Sequence, residues 1–138
     1  MGETKLSPYL EWLKNDFEKS PFWIHMGIQM DQLEEGNVRI KMPVKEELLN
    51  TNGVMHGGAI ASILDSIIGV TIRSTRDVKV ATVSLSTQFI APISEGTLYA
   101  EAKITNPGKR IQYVDAVAFN DQGEIIGKAL GTFAILKK

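Results

Sequence analysis

Cysteine is absent from this 138-residue chain. That excludes disulfides, thiolate nucleophiles and Cys-ligated metals. Only two histidines are present, so a metal centre is not expected and the metal prediction is none. Excess charge of either sign is also missing: 15 basic and 16 acidic residues leave a net charge of -1. Nothing there suggests general binding to nucleic acid. No apolar stretch follows a basic start, so no secretory leader is expected. The one long apolar segment is interrupted by Ser62, Asp65 and Ser66, which argues against a membrane span. A cytoplasmic location is the resulting expectation. The chain also lacks repeats, linkers and low-complexity stretches. With 43% hydrophobic residues it is expected to form one domain over residues 1–138.

The most informative stretch runs from Asn50 to Arg73. Its first half, Asn50 to Gly58, is a loop rich in Gly and Asn. Its second half reads as one helix, with Ile60, Ile63, Leu64, Ile67, Ile68 and Ile72 at helical spacing. The other faces are mostly apolar or small, which predicts a helix buried all round. Asp65 is its only ionisable residue before Arg73, and its helical neighbours Gly58, Ala61, Ser62 and Gly69 are all small. The face is therefore a shallow trough holding one carboxylate. It serves either for close packing, with Asp65 hydrogen-bonded to backbone, or to admit a substrate on which Asp65 does acid–base or nucleophilic work.

Gly57 and Gly58 fall where a helix N-terminus presents unpaired N–H groups, and glycine lets a ligand approach that backbone closely. Such an N–H can stabilise an oxyanion, with His56 and Asn50 offering donors beside it. A tight turn with His56 as a simple cap would produce the same residues. Gly57 and Asp65 are eight residues apart, ~12 Å along a helix. One small carbonyl cannot touch both within one chain. If both serve one reaction, a second copy of the helix must run antiparallel, as in a two-fold dimer.

Residues 6–19 read as an amphipathic cover helix, striped by Leu6, Leu10, Leu13 and Phe17 and ended by Ser20-Pro21. Residues 22–33 read as extended, with His25 alone among apolar neighbours. Residues 38–44 form a second strand, and 45–49 a single helical turn. Strands follow at 80–92, 98–105, 111–119 and 125–136, joined by turns, so three successive hairpins are expected. In the first of these, alternation sets Ala81, Val83, Leu85, Thr87 and Phe89 opposite Thr82, Ser84, Ser86 and Gln88. One buried helix with a long antiparallel meander is α+β, the sheet curling around the helix.

That element order, with Asn50, His56-Gly57-Gly58 and Asp65 at their spacing, resembles the hotdog-fold acyl-CoA thioesterases of the phenylacetate-degradation (PaaI-like) subgroup. The resemblance covers about residues 27–136. It implies hydrolysis of an acyl-CoA to a free acid and CoA, in a homodimer or homotetramer, with no cofactor because CoA belongs to the substrate. It gives the Gly57 N–H to the thioester carbonyl and Asp65 of the other subunit to water or to direct attack. Asn50 places substrate or water, and His56 supports the loop. A Ser or Thr early in the third strand assists the acid. Counting back from Ala91-Pro92, that residue is Thr82, which plain alternation turns away from the helix. Only a strand that bends, or one on a subunit seam, would bring it to the site. The resemblance further places Gly108, Lys109, Arg110 and Ile111 near CoA, and Phe89 along the pantetheine tunnel. A hotdog hydratase or dehydratase and a non-catalytic acyl-CoA-binding module are the competing readings. The chain has no Gly-x-Ser-x-Gly elbow. A thioester lacks amide-like resonance, so an N–H donor and a carboxylate can suffice.

Overall fold

A computed structural model describes residues 6–136. Of the single domain expected over residues 1–138, with residues 1–20 as its N-terminal cover, residues 1–5 and 137–138 lie outside the described residues. Helix α1, Pro8–Glu18, starts at Ser7, whose side chain accepts a hydrogen bond from the Leu10 N–H, with Pro8 in the first turn. Leu13 is its fully buried anchor. A second short helix, α2 (Pro21–Met26), corrects the expectation that 22–33 is extended throughout. Pro21 fits a first helical turn, where its missing N–H costs nothing. Trp23 and Met26, three apart, point into the core, and Gly27 closes the turn at φ 79°. The chain becomes extended only at β1, Gln29–Glu34, which turns at Gly36 into β2, Asn37–Pro43. A 3-10 turn at Glu46–Leu48 follows, where one helical turn was expected.

Helix α3, Gly57–Thr75, precedes strands β3 (Lys79–Phe89), β4 (Thr97–Pro107), β5 (Ile111–Phe119) and β6 (Ile125–Leu136). The six strands form one antiparallel sheet in the order β1-β2-β4-β5-β6-β3. Two of the three expected hairpins are present. The third, β3 to β4, is not, because β3 lies at the sheet edge and pairs with β6. The connector is held across the end of the sheet rather than folded into a turn. The Ile90 N–H donates to Ile126 O, Ile93 O accepts from the Met55 N–H, and Gly96 O accepts from the Val44 N–H. Buried Ile93 anchors it midway.

The sheet wraps α3, as expected of the hotdog arrangement. Ile63, Leu64, Ile67, Ile68 and Ile72 are fully buried against Ile40, Met42, Leu98 and Ile126. Each such side chain contributes ~1.5–3 kcal/mol relative to exposure. Close approach requires glycine on β6: a β-carbon on Gly131 would lie 2.7 Å from Ile68 Cδ1, and one on Gly127 3.0 Å from Ile60 Cγ2. By length and composition α3 could cross a bilayer, but its isoleucines pack on this sheet. It is not buried all round, however. The sheet covers one side only, and Ala61, Ser62, Asp65 and Ser66 stay partly exposed.

Candidate active site

The loop before α3 is built by local hydrogen bonds. Asn50 Oδ1 accepts from the N–H groups of Asn52 (2.8 Å) and Val54 (3.3 Å). Gly53 adopts φ 76° inside that turn, and the His56 N–H is tied to Leu48 O at 2.7 Å. These bonds consume the Asn50 carbonyl and leave its amide donors for other use. His56 is the N-cap, its Nδ1 accepting from the Gly58 N–H at 2.8 Å. That bond uses Nδ1 as an acceptor and leaves Nε2 as the ring's other hydrogen-bonding position.

The two glycines therefore separate. Gly58 has its N–H capped, and a β-carbon there would meet His56 Nδ1 at 3.0 Å. The Gly57 N–H meets no acceptor among the described residues. The Phe89 ring lies against Gly57, 3.3 Å from where a β-carbon would sit. Asn50, Gly57, Ile60, Phe89 and Ile90 line a cleft of about 280 Å³. Phe89 is expected on the tunnel wall, and here it shares a cleft with the candidate oxyanion donor.

Asp65 lines a different cleft, of about 600 Å³, with Ser66, Gly69, Val80, Thr82 and Phe133 along α3 and the sheet. Trp12, Asp16, Phe17 and Trp23 from the N-terminal helices close one side. The Thr82 hydroxyl donates to Asp65 Oδ1 at 2.7 Å. Plain alternation would turn Thr82 away from the helix, and the strand does not alternate plainly. The register with β6 slips between Thr82 and Ser84, where β3 carries an extra residue, Val83. That bulge puts Val80 and Thr82 on the helix side, followed by Leu85 and Thr87, and leaves Val83 61% exposed. Among the described residues Asp65 has no ion pair, and Thr82 is its one hydrogen-bond partner through a side chain.

Several residues of this cleft carry no weight in the sequence reading. By sequence Arg73 is a cation at the helix C-terminus that suits the dipole, with holding phosphate a secondary role. In the structure its guanidinium lies over Phe17 (5.1 Å) and Trp12 (5.8 Å), donates to Val78 O at 3.0 Å and reaches Asp16 at 3.4 Å. The Tyr9 hydroxyl donates to Arg73 O at 2.7 Å. Arg73 thus clamps α1 over the cleft. The available signal was the aromatic content of residues 9–23 beside one arginine at the end of the core helix.

The hairpin residues sit elsewhere. Gly108, Lys109 and Arg110 form the β4–β5 turn with Ile111 opening β5, and none lines either cleft. Arg76 Nη1 donates to the carbonyls of Gly108 (3.3 Å) and Lys109 (3.4 Å), and Arg110 O accepts from the Ile135 N–H. His25 ends α2, where its carbonyl accepts from Lys45 Nζ at 2.7 Å.

Comparison with known proteins bears on the family and the fold. The sequence model of the thioesterase superfamily matches residues 52–126. A Thermoplasma acidophilum protein designated an esterase is 34% identical over 128 residues, 92% of this chain and 97% of its own. A solved structure of a thioesterase family protein from Silicibacter pomeroyi is 28% identical, with a TM-score of 0.84 over 94% of this chain and 99% of that one. The E. coli PaaI protein from the phenylacetic acid degradation operon has the same fold, with a TM-score of 0.83 at 22% identity over 91% of this chain and 92% of that one.

Proposed function

The chain belongs to the thioesterase superfamily, and from that premise we propose that it hydrolyses an acyl-CoA thioester to a free acid and CoA in a site shared by two copies of the chain. The observation that carries the reading is Asp65: a carboxylate without an ion pair among the described residues, held by Thr82 at 2.7 Å in a cleft along α3.

The chemistry follows from what each group has free. Thr82 spends its one proton on Asp65 and keeps lone pairs that can accept from a water. Asp65 takes a proton from that water as its oxygen attacks the thioester carbonyl. The charge developing on the carbonyl oxygen needs a donor, and the Gly57 N–H at the start of α3 is uncommitted and favoured by the helix dipole. The Asn50 amide donors stand in the same cleft. Collapse of the tetrahedral intermediate breaks the C–S bond and releases CoA thiolate. The reading calls for no cofactor.

Within one protomer these groups line separate clefts, eight residues or ~12 Å apart along α3. A second copy lying antiparallel on the uncovered trough of α3 would bring its Asp65 to the first copy's Gly57, giving a homodimer with two equivalent sites, or a tetramer of two such pairs. The unpaired long edge of β3 offers such a copy backbone to join. His56 does not suit the hydratase reading, because its Nδ1 is committed to the Gly58 N–H.

Thiol release measured across short, aromatic and long acyl-CoAs tests the reading, with Asp65→Asn alongside. Turnover of at least one acyl-CoA is expected, and Asp65→Asn should lower kcat by about 10²–10⁴ while acyl-CoA still binds. Unchanged turnover in that variant would remove Asp65 from the mechanism. Binding without turnover in the parent protein would make the chain an acyl-CoA-binding module.

A further inference from the structure

We propose that Gly69 sets which acyl groups the enzyme accepts, by keeping the floor of the Asp65 cleft open. This rests on the acyl-CoA reading above. Gly69 lies one helical turn beyond Asp65 on the same face of α3 and lines the same cleft.

Glycine inside a helix needs a reason, because it is the least favourable residue there after proline and alanine the most favourable. The other buried glycines have one in packing. A β-carbon on Gly131 would sit 2.7 Å from Ile68 Cδ1, and one on Gly127 3.2 Å from the Gln88 carbonyl. At Gly69 the fold imposes nothing comparable. A β-carbon there would find Phe133 Cε2 at 3.8 Å and Val80 Cγ2 at 3.9 Å, both ordinary contacts. Its φ is not positive either. Alanine would fit and would strengthen the helix. What it would remove is space between Phe133, Val80 and the wall formed by Trp23 and Phe17.

The walls decide what uses that space. The lining as a whole includes Asp16, Arg73 and Lys79, but beside Gly69 it is Phe133 and Val80, with Phe17 and Trp23 in the same wall, and that part suits an acyl chain or ring rather than the polar arm of CoA. With the thioester carbonyl at Asp65, the first carbons of the acyl group run along α3 towards Gly69. Added methyl groups at residue 69 therefore shorten the space beyond the carbonyl.

The test measures kcat/KM for acetyl-, hexanoyl-, dodecanoyl- and phenylacetyl-CoA in the parent protein, Gly69→Ala and Gly69→Val, with the Tm of each. The ratio of kcat/KM for the largest accepted acyl group to that for the smallest is expected to fall about ten- to two-hundred-fold in Gly69→Ala, the range one added carbon can produce in an apolar pocket. Gly69→Val should lower the ratio further, and the Tm of Gly69→Ala should not fall. Activities that decline by one common factor across the series would overturn the proposal while leaving the thioesterase reading intact. A parent protein that releases CoA from none of the four overturns both. Should Gly69→Val not fold, the ratio in Gly69→Ala decides alone.

Discussion

Replacing Thr82 with valine removes one hydroxyl and leaves a side chain of nearly the same shape. The hydroxyl donates to Asp65 Oδ1 at 2.7 Å, a hydrogen bond to a charged group. Such bonds contribute about 1.5–3 kcal/mol. If that contribution is needed as the water is deprotonated, kcat falls by roughly 10- to 150-fold. Thr82 is exposed in the protomer, where water can substitute, so the lower part of that range is expected. Valine suits an edge strand as well as threonine does, so Tm should hold. The assay is thiol release at saturating acyl-CoA, with Thr82→Ser as the control that restores a hydroxyl. Thr82→Val should be slow with KM little altered, and Thr82→Ser should recover most of the rate. A valine variant as fast as the parent, or a serine variant as slow as valine, would refute the role given to the Thr82 hydroxyl.

His56→Ala removes the side-chain cap of α3 and should cost about 1 kcal/mol, lowering Tm by about 3–5 °C; His56→Asn, which can still cap, should lose less, and equal Tm values for the two would mean that the Nδ1 bond to Gly58 contributes nothing. Gly131→Ala forces a β-carbon to within 2.7 Å of Ile68 Cδ1 and should destabilise by about 1–3 kcal/mol in denaturant titration. Ile68→Val deletes that methyl group, so the double variant should be more stable than the sum of the single losses; strict additivity would show that the two do not meet.

The parts of this protein readable from its sequence are those fixed by local spacing. Helix α3 announces itself by isoleucines at helical intervals, and Asn50, His56, Gly57 and Asp65 lie within one turn and one helix. What escaped depends on partners distant in the chain. The parity of Thr82 is set by a slip against β6, roughly fifty residues on, which β3 alone does not encode. The same holds for β3 pairing with β6, since a connector ending in Ser94-Glu95-Gly96 looks like a turn until Ile93 is seen buried and hydrogen-bonded to Met55. Helix α2 is bracketed by Pro21 and Gly27, yet Phe22, Trp23 and Ile24 favour strands by propensity, so its sequence reads as extended. The uncovered face of α3 is ambiguous for another reason: Ala61, Ser62 and Ser66 are small enough to pack on either a sheet or a second subunit, and they stay partly exposed in the protomer.

The central claim is that one protomer supplies the amide and another the acid, and mixing two defective chains tests it most directly. Asp65→Asn removes the acid. Gly57→Pro removes the N–H at the first helical position, where proline is tolerated, and His56 before it already has the extended ψ of 138° that proline requires. Each variant alone should be nearly inactive. When the two are co-expressed or unfolded and refolded together in equal amounts, half the dimers are hybrids, and each hybrid holds one site carrying both lesions and one carrying neither. Activity should return to about a quarter of the parent level. A mixture no more active than its components, though hybrids are present, would contradict the shared site.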